Sequence, residues 1–330
     1  MILVTGGAGY IGSHIVKELI LKKYQVIVID NLSTGHKEAI DKEATFIEGD
    51  IGDNQLLEDV FTRFHVDAVI HLAALCYVHE SVIHPEKYYE NNVANSLQLV
   101  KCMLKHNVLK IIASSTCATY GLPTTSVLDE KHPTHPINPY GRSKLMVEQM
   151  LADFSRAHGL SYISLRYFNV SGAHPSREIG EDHTPETHLI PSILNHIAEG
   201  SKELKIYGSD YPTKDGTCVR DFIDVNDIAD AHIRALDSIL NTSNQQEVYN
   251  IGSERGYSVL EVIKACEKVT GQKVHYTSQP RRAGDPPHLV ASSTKIQSSL
   301  GWKPHHQLED MISSHWEWMK RHPDGYQSTP

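Results

Sequence analysis

A tyrosine and a lysine four residues apart, Tyr140 and Lys144, form the pair in this chain best suited to moving a proton. Asn138 and Pro139 directly before them are typical of a helix start, which places the two side chains one turn apart on one face. A lysine ammonium nearby lowers the pKa of a phenol from its ordinary value of about 10. We therefore expect Tyr140 to act as a general base near neutral pH. The alternative is a surface helix on which the two residues are neighbours by chance.

Three glycines near the start of the chain, Gly6, Gly9 and Gly12, have the spacing of a phosphate-binding turn. They follow a short apolar run and precede an apolar helical pattern, so the turn should place a pyrophosphate at a helix N-terminus. A second apolar run ends in Asp30, about 20 residues on, where a dinucleotide-binding unit has its ribose ligand. These features predict an NAD site, whose oxidised nicotinamide ring would help to lower the pKa of Tyr140. The alternative is a glycine-rich turn that binds nothing.

The elements that must hold these residues alternate between strands and helices over the first half of the chain. Several predicted strands are continuous apolar runs, which is typical of a parallel sheet covered by helices on both faces. We therefore predict an α/β fold with a doubly wound, Rossmann-type parallel sheet, whose strand ends carry the ligand groups. The predicted strands lie near residues 2–4, 25–30, 44–47, 68–72, 110–113 and 162–165.

A change of pattern near residue 170 predicts two domains. Residues 1–170 are predicted to form the NAD-binding domain, and a segment near 225–252 is expected to return to its sheet. Residues 171–330 contain shorter helices and clusters of Pro, Gly, His and Asp, and they predict a smaller α/β domain for the substrate. A long helix is also predicted from about residue 85 to residue 106.

The composition excludes several classes of protein. The 330 residues are 40% hydrophobic with a formal net charge of −9, and no basic stripe indicates nucleic-acid binding. Five widely spaced cysteines without a C-x-x-C pair indicate a reducing compartment, and we expect a cytoplasmic protein. No apolar stretch approaches a membrane span, and a strand that begins at residue 2 leaves no room for a signal peptide. None of the 21 histidines lies in an H-E-x-x-H motif, so we predict no metal site.

Five further motifs extend the pattern over essentially the whole chain. They are N-N-V at 91–93, R-Y-F-N at 166–169, G-x-D-Y-P-T at 208–213, V-R-D at 219–221 and R-R-A-G-D at 281–285. With the glycine turn and the Tyr-x-x-x-Lys pair, they make the chain resemble the extended short-chain dehydrogenase/reductase family, and in particular its nucleotide-sugar 4-epimerase branch. The resemblance implies an NAD-binding first domain and a second domain that binds a UDP-sugar.

The resemblance also implies which residues contact the cofactor. Asp30 would bind the adenosine ribose, which favours NAD because a carboxylate there repels the 2′-phosphate of NADP. Asp50 and Ile51 would contact the adenine, and Lys144 would hold the nicotinamide ribose. The implied set is Gly6, Gly9, Tyr10, Ile11, Gly12, Asp30, Asn31, Asp50, Ile51, Leu72, Ala73, Ala74, Asn92, Ser114, Tyr140, Lys144 and Tyr167.

A second set of residues is implied for the UDP-sugar. An acidic protein needs local cations for an anionic ligand, and arginines such as Arg220 and Arg282 bind a diphosphate bidentately. The alternative for each arginine is a salt bridge within the second domain. The implied set is Thr116, Tyr140, Asn169, His188, Leu189, Leu204, Lys205, Tyr207, Arg220, Arg282, Asp285 and Leu289, with the residues from Leu204 to Tyr207 lining the uracil pocket.

The implied reaction is the interconversion of UDP-glucose and UDP-galactose, a step of galactose metabolism. Tyr140 would take the proton from the sugar O4 while C4 loses a hydride, and the 4-keto sugar would rotate before it is reduced on its other face. Thr116 stands where these enzymes usually carry serine, and its hydroxyl can make the same hydrogen bond. Cys76 and His188 also depart from the family pattern, since relatives often have lysine and asparagine at these positions.

Three other functions remain to be weighed against this one. A nucleotide-sugar 4,6-dehydratase of the same fold would carry Thr-Asp-Glu where this chain has Thr116, Cys117 and Ala118, so it lacks the carboxylates for elimination. A different sugar, UDP-N-acetylglucosamine or a pentose, depends on Leu289, which is intermediate between the tyrosine that excludes the N-acetyl group and the small residues that admit it. A non-catalytic NAD-binding sensor would be expected to have lost Tyr140 or Lys144.

The same family commonly forms homodimers through the helix that carries Tyr140 and the long helix before it, and we expect a homodimer here. Apolar residues on these two helices could form the interface, or they could pack on the sheet, and periodicity does not separate the two. The residues are Leu97, Val100, Leu104, Met146, Met150 and Phe154.

Overall fold

The computed structural model of the chain describes residues 1–200, 203–282 and 285–326. Its strands are β1 (Ile2–Thr5), β2 (Val26–Asp30), β3 (Thr45–Glu48), β4 (Ala68–His71), β5 (Lys110–Thr116), β6 (Ser161–Tyr167), β7 (Asn169–Ser171), β8 (Leu204–Tyr207), β9 (Val219–Asp224), β10 (Gln246–Ile251), β11 (Gly256–Ser258), β12 (Tyr276–Gln279) and β13 (His288–Leu289). Its α-helices are α1 (Tyr10–Leu21), α2 (Asn54–Arg63), α3 (Val78–Ile83), α4 (Pro85–Tyr88), α5 (Asn95–Lys105), α6 (Pro139–His158), α7 (Leu189–Glu199), α8 (Val225–Asn241), α9 (Val259–Thr270), α10 (Thr294–Leu300) and α11 (Leu308–Arg321).

Seven parallel strands form the main sheet, in the order β10-β6-β5-β4-β1-β2-β3. The predicted doubly wound fold is confirmed. The order of the strands reverses between β1 and β4, and in such sheets the crevice beyond the carboxyl ends at this point is where ligands bind. The apolar runs fold this way because β1, β2 and β4 are buried on both faces.

Helices cover both faces of this sheet. One face packs against α1 and α8 through a cluster that includes Ile15, Leu19 and Leu236. The other face packs against α2, α5 and α6 through a cluster that includes Leu57, Leu99 and Leu151. The sheet is thereby held rigidly, and the loops at its carboxyl edge are left to carry the polar groups of the site.

The long helix predicted over residues 85–106 is interrupted. Between α4 and α5 the backbone forms a π-helical turn at Tyr89–Ala94, which contains Asn92. The side chain of Asn92 is buried and hydrogen-bonds to the backbone of Leu75 and to Ser143 of α6. The π turn presents this side chain to a neighbouring loop, and such turns are frequent at functional sites.

The rest of the chain forms two smaller sheets with a core of their own. In the first, β9 pairs with β7, β11 and β13, and in the second β8 pairs with β12. Their shared apolar core includes Ile193, Phe222 and Met311. Strand β10 lies beside β6 in the main sheet, while the proposed division of the chain at residue 170 remains a prediction. Within the described residues, no helix combines the length and the apolar character needed to cross a membrane.

Candidate active site

The turn between β1 and α1 brings Gly6, Gly9 and Gly12 together at the carboxyl edge of the main sheet. Gly6 has φ of +73°, and a Cβ there would lie 2.5 Å from the backbone nitrogen of Ala73. A Cβ at Gly12 would lie 2.1 Å from the carbonyl oxygen of Gly6. At Gly9 the nearest atom to such a Cβ is 3.4 Å away, so packing within the chain does not itself demand glycine there.

The N-terminus of α1 is open to a ligand. Gly9 caps the helix without a side-chain hydrogen bond, and the first turn carries no acidic residue. The backbone amides of Tyr10, Ile11 and Gly12 therefore keep the positive end of the helix dipole available to an anion. Tyr10 itself is anchored, because its hydroxyl donates to the carbonyl oxygen of Gly172 at 2.6 Å.

Asp30 lies at the end of β2, beside this turn. Its carboxylate accepts hydrogen bonds from the amides of Ala8 and Leu32, both at 2.9 Å, and burial raises its pKa. Asn31 donates to Asp50 at 2.7 Å, which joins the loops after β2 and β3. Ile51 is only 4% exposed and packs in the core, so its side chain offers little surface to a ligand.

The loop after β4 closes the other side of the turn. The amides of Leu72 and Ala73 donate to the carbonyl oxygen of Thr5 at 2.9 and 3.0 Å, and Ala74 follows them. His71 bridges the hydroxyls of Thr5 and Ser96 at 2.8 Å each. Burial, and to a smaller extent the charge of Lys144, lowers the pKa of His71 to about 3, so this ring is neutral.

Tyr140, Lys144 and Thr116 meet where β5 ends. Asn138 caps α6 by accepting from the amide of Gly141 at 2.8 Å, as the sequence predicts, so Tyr140 and Lys144 share one helix face. Burial raises the pKa of Tyr140, and a hydrogen bond from Thr116 opposes that rise. Lowering this pKa toward neutrality therefore requires positive charge beyond what surrounds the phenol in the chain itself.

Lys144 is held from below by Ser114. Its ammonium donates to the hydroxyl of Ser114 at 2.8 Å and to the carbonyl oxygen of Ser114 at 3.0 Å. Burial lowers the pKa of Lys144 to about 8. The ammonium of Lys144 is thus fixed in one position by two uncharged oxygens, and no carboxylate among the described residues is hydrogen-bonded to it. Such an arrangement suits a group that acts on a neighbouring ligand.

The residues predicted to bind the diphosphate are engaged with one another. Arg220 of β9 donates to Asp285 at 2.5 Å and to the carbonyl oxygen of Pro286 at 2.9 Å. The salt bridge that the sequence left open as an alternative is therefore present. Asn169 donates to the carbonyl oxygen of Asp221 at 2.7 Å. Leu289 is the ladder neighbour of Arg220, and it joins Cys117, directly after Thr116, in one small apolar cluster.

The predicted uracil pocket is arranged around a cation–π contact. The guanidinium of Arg282 lies 4.2 Å from the centre of the Tyr207 ring, so only the other face of this ring is available for stacking. Leu204 packs on the core of the smaller sheets, whereas Lys205 is exposed. Ala283 and Gly284 of the same motif lie outside the described residues.

Comparison with known proteins identifies the family. The pattern of the "NAD dependent epimerase/dehydratase family" matches residues 2–252. The chain belongs to that family. It is 49% identical over 327 residues to the UDP-glucose 4-epimerase of Lactobacillus helveticus, with 99% of each covered, and 50% identical over 327 residues to that of Halalkalibacterium halodurans, with 98% of this chain and 97% of the relative covered.

A solved structure agrees with this assignment. The UDP-glucose 4-epimerase from Bifidobacterium longum, crystallised in complex with NAD⁺ and UDP, matches with a TM-score of 0.94 at 42% identity, over 98% of this chain and 99% of that one. The family resemblance that the motifs indicated is confirmed.

NAD is the cofactor of this epimerase/dehydratase family, and the chain fits it. The main-chain cradle at Gly6 and Gly12 has no room for a Cβ, while Gly9 lies at an uncapped helix start, as a pyrophosphate requires. Asp30 keeps a buried carboxylate at the end of β2, beside the glycine turn. The hydroxyl of Tyr167 is hydrogen-bonded to His232 at 2.7 Å, and the predicted contact of this residue with the cofactor remains a prediction.

His188 and Leu189 lie at the start of α7. The Nδ1 atom of His188 faces Glu181 at 2.8 Å and Glu186 at 3.0 Å, and 43% of its side chain is exposed. Leu189 packs partly on the core of the smaller sheets. Cys76 is exposed in the loop after β4. The contacts predicted for these residues with cofactor or substrate remain predictions.

The sequence analysis missed one buried ion pair that supports the site. Arg166 of β6 donates to Glu148 of α6 at 2.9 and 2.6 Å, and Ser115 of β5 donates to the same carboxylate. The pair holds α6 against β6, and the bond from Ser115 holds α6 against β5, the strand that ends in Thr116. A signal was present, because Tyr140, Lys144 and Glu148 follow one another at intervals of four and share one helix face.

Proposed function

We propose that the chain interconverts UDP-glucose and UDP-galactose by inverting the configuration at C4 of the sugar. The observation that carries this proposal is the contact between Tyr140 and Thr116 at the end of β5, with Lys144 fixed beneath it by Ser114. This arrangement offers a proton acceptor and a hydroxyl to one substrate oxygen. Relatives that match the chain over nearly its whole length are named UDP-glucose 4-epimerase.

The chain's own residues handle the proton. NAD, when bound, supplies the acceptor and donor of the hydride at C4. Tyr140 takes the proton from the sugar O4 and gives it back after the sugar has presented its other face. Thr116 donates to the phenolate and holds its position, and the ammonium of Lys144, together with the positive charge of bound NAD⁺, would favour the ionised phenol.

The substrate side binds through its arginines. The side chain of Arg220 is 12% exposed and is already paired with Asp285. To bind a diphosphate, Arg220 therefore exchanges the carboxylate of Asp285 for a phosphate oxygen. Arg282 is exposed and stacks on Tyr207, and this contact supports a role for it in closing over the nucleotide. Since these contacts all lie on the UDP portion, the sugar is held loosely enough to turn between the two half-reactions.

Two rival functions are less well supported. A 4,6-dehydratase needs an acid and a base directly after Thr116, but Cys117 and Ala118 occupy those positions in a short 3₁₀ turn. A non-catalytic sensor does not require a buried phenol and a buried ammonium side by side. Here burial raises the pKa of Tyr140 and lowers the pKa of Lys144, a perturbation typical of catalytic sites.

We propose further that two copies associate through α5 and α6. Val100 is buried in the core, but Leu97, Leu104, Met150 and Phe154 are only partly buried and Met146 is 39% exposed. Light scattering of the purified chain should give twice the mass of 36.9 kDa. Phe154→Lys should convert it to a monomer, and an unchanged mass would contradict this interface. The cytoplasmic location stays a prediction from the sequence.

The proposed activity is tested by turnover of UDP-galactose and of UDP-N-acetylgalactosamine, measured side by side without added NAD. Conversion of UDP-galactose supports the proposed activity. Because no NAD is added, it also indicates that the purified protein retains its cofactor. Conversion of both would show in addition that Leu289 admits an N-acetyl group. Activity on neither substrate, even with NAD supplied and Tyr140 intact, would overturn the assignment.

A further inference from the structure

Four side chains just before α7 converge on one point. Glu181, His183, Glu186 and His188, which we call the Glu–His cluster, each direct one ligand atom to a place where all these atoms lie within 4.8 Å of one another. The four come from eight consecutive residues in the order E-x-H-x-x-E-x-H. This spacing differs from the H-E-x-x-H motif on which the sequence prediction of no metal site was based.

The carboxylate-to-imidazole distances within the Glu–His cluster are those of groups that can share one cation. Glu181 Oε1 lies 3.2 Å from His183 Nδ1 and 2.8 Å from His188 Nδ1, while Glu186 Oε2 lies 3.7 Å from His183 Nδ1 and Glu186 Oε1 lies 3.0 Å from His188 Nδ1. Ligand atoms bound tetrahedrally at the usual zinc distances of about 2.0–2.1 Å are separated by about 3.3 Å. The four distances bracket this value, and both carboxylates face the same nitrogen of each ring.

Burial provides a second, independent observation. The side chain of Glu181 is 1% exposed, and its Oε2 atom has no hydrogen-bond partner. His183 Nδ1, in a side chain that is 11% exposed, faces the Glu181 carboxylate at 3.2 Å without a well-formed hydrogen bond. An unpaired buried carboxylate oxygen is costly, and a bound cation is one of the few partners that satisfies it.

The surroundings favour a small cation over other occupants. The rings of Tyr10 and Tyr77 stand edge-on to His183, with centroids 6.4 and 6.2 Å away, and enclose the cluster. Without an ion, the two carboxylates of the cluster, against the effect of burial, raise the pKa of both His183 and His188. A divalent ion would therefore displace one proton from each ring, and the two carboxylates would then balance its charge. A mixed nitrogen and oxygen donor set suits the zinc class better than calcium or magnesium.

We propose that the Glu–His cluster binds one divalent transition cation of the zinc class per chain. The cation fixes residues 181–188 ahead of α7. It uses Nδ1 of His188, whose side chain is 43% exposed, and leaves the other ring nitrogen, Nε2, uncoordinated. The proposal does not rest on the proposed epimerase activity.

A second group of potential ligands serves as the control. Glu58, Cys102 and His106 also converge, but the ammonium of Lys105 already lies 2.8 Å from Glu58 and neutralises it. We therefore expect this group to bind no ion. The donor sets differ as well, since only this second group contains sulfur.

The test is the zinc content of tag-free, full-length protein after chelation, reloading with zinc chloride and exhaustive dialysis, measured by elemental analysis and by titration calorimetry. We expect one equivalent in the wild type and in His106→Ala, and at least tenfold weaker binding in Glu181→Gln and His183→Ala. X-ray absorption of the loaded protein should show nitrogen and oxygen neighbours without sulfur.

Circular dichroism and NAD content establish whether each variant is folded, and Glu186→Gln, which changes a less buried ligand, replaces any variant that is not. Equal zinc content in the wild type and the folded cluster variants would mean adventitious binding and overturn the proposal. So would a sulfur ligand in the absorption spectrum or the absence of retained zinc in the wild type.

Discussion

The carboxyl edge of the main sheet and the region around β9 hold their functional groups in different ways. At the sheet edge, Lys144 is buried and bonded to Ser114, and His71 is buried, neutral and bonded to two hydroxyls. Around β9 the charges are paired with each other, as in Arg220 with Asp285. The groups of the first region are fixed by neutral contacts, whereas the proposed substrate binding at the second would exchange internal partners for ligand contacts.

This difference suits the two tasks of the proposed reaction. Chemistry at one oxygen and one carbon requires groups fixed to within a fraction of an ångström. Binding of a diphosphate that must also be released is better served by arginines whose internal carboxylate partner competes with the ligand. The comparison predicts that changes at the sheet edge reduce turnover, while changes near β9 reduce affinity.

The largest effect is expected from Tyr140→Phe, which removes the phenol and leaves the ring. Turnover of UDP-galactose should fall about 1,000-fold, because general acid–base catalysis contributes roughly 10²–10⁴-fold. Retained NAD and the affinity for UDP should stay within about threefold of the wild type. The matched control is Tyr24→Phe, whose hydroxyl bonds Asp237 on the surface and should not matter. Turnover within tenfold of the wild type would remove Tyr140 from the mechanism.

The next effect concerns affinity. Arg220→Met should weaken UDP binding about 50-fold with kcat changed less than threefold, since hydrogen bonds to a charged group are worth roughly 1.5–3 kcal/mol. Calorimetric titration with UDP and steady-state kinetics measure the two effects. Arg281→Met, which loses an exposed pair with Asp210, is the control and should change affinity less than threefold. If kcat falls instead of affinity, the division between the two regions is wrong.

A smaller effect is expected at the residue that joins the regions. Leu289 lies between Arg220 and the cluster beside Thr116, so its size should limit the group at C2 of the sugar. We expect the ratio of kcat/KM for UDP-N-acetylgalactosamine to that for UDP-galactose to be about 20-fold higher in Leu289→Ser than in Leu289→Tyr. Leu289→Met should leave the ratio near the wild-type value. Equal ratios in all variants would show that another residue sets the limit.

The last effect concerns folding stability rather than activity, and it tests the neutral state of the sheet edge. Burial lowers the pKa of His71 to about 3 in the folded chain. Below pH 6.5, His71 therefore binds a proton in the unfolded chain but not in the folded chain. Folding stability therefore falls as pH drops from about 6.5 toward 3. In His71→Asn this fall should be shallower by about 1.4 kcal/mol per pH unit.

Urea unfolding between pH 6 and pH 4 measures the slope. His65→Asn is the control, because that side chain is 94% exposed. An unchanged slope in His71→Asn would mean that His71 takes up its proton in the folded protein, and the sheet edge would then not be held by neutral contacts.

The sheet edge was largely predictable from the sequence because its signals are local. The glycine spacing, the acid at the end of β2 and the Tyr-x-x-x-Lys pair each lie within one strand–turn–helix unit, and apolar runs mark the buried strands. The π turn at Asn92 was missed because the periodicity continues through it. The π turn is explained only by the contacts of Asn92 with Leu75 and Ser143, which are distant in the sequence.

The region around β9 was harder to predict because its contacts join distant residues. Arg220 and Asp285 are 65 positions apart, and the sequence could indicate their types but not whether they pair with each other or wait for a ligand. The Glu–His cluster was missed for a different reason. Its residues are local, but its spacing is not that of a familiar metal motif, and its convergence depends on the fold of the loop before α7.

The most direct test of the account is the fate of the hydrogen at C4 during turnover in D₂O. Purified chain is incubated with UDP-galactose in D₂O, and NMR of the resulting UDP-glucose reports deuterium at that carbon. Transfer as a hydride, with Tyr140 moving only the proton of O4, predicts conversion to the equilibrium mixture with no deuterium at C4. Deuterium at C4 would show that this hydrogen leaves as a proton and would contradict the roles assigned here to Tyr140 and the NAD site.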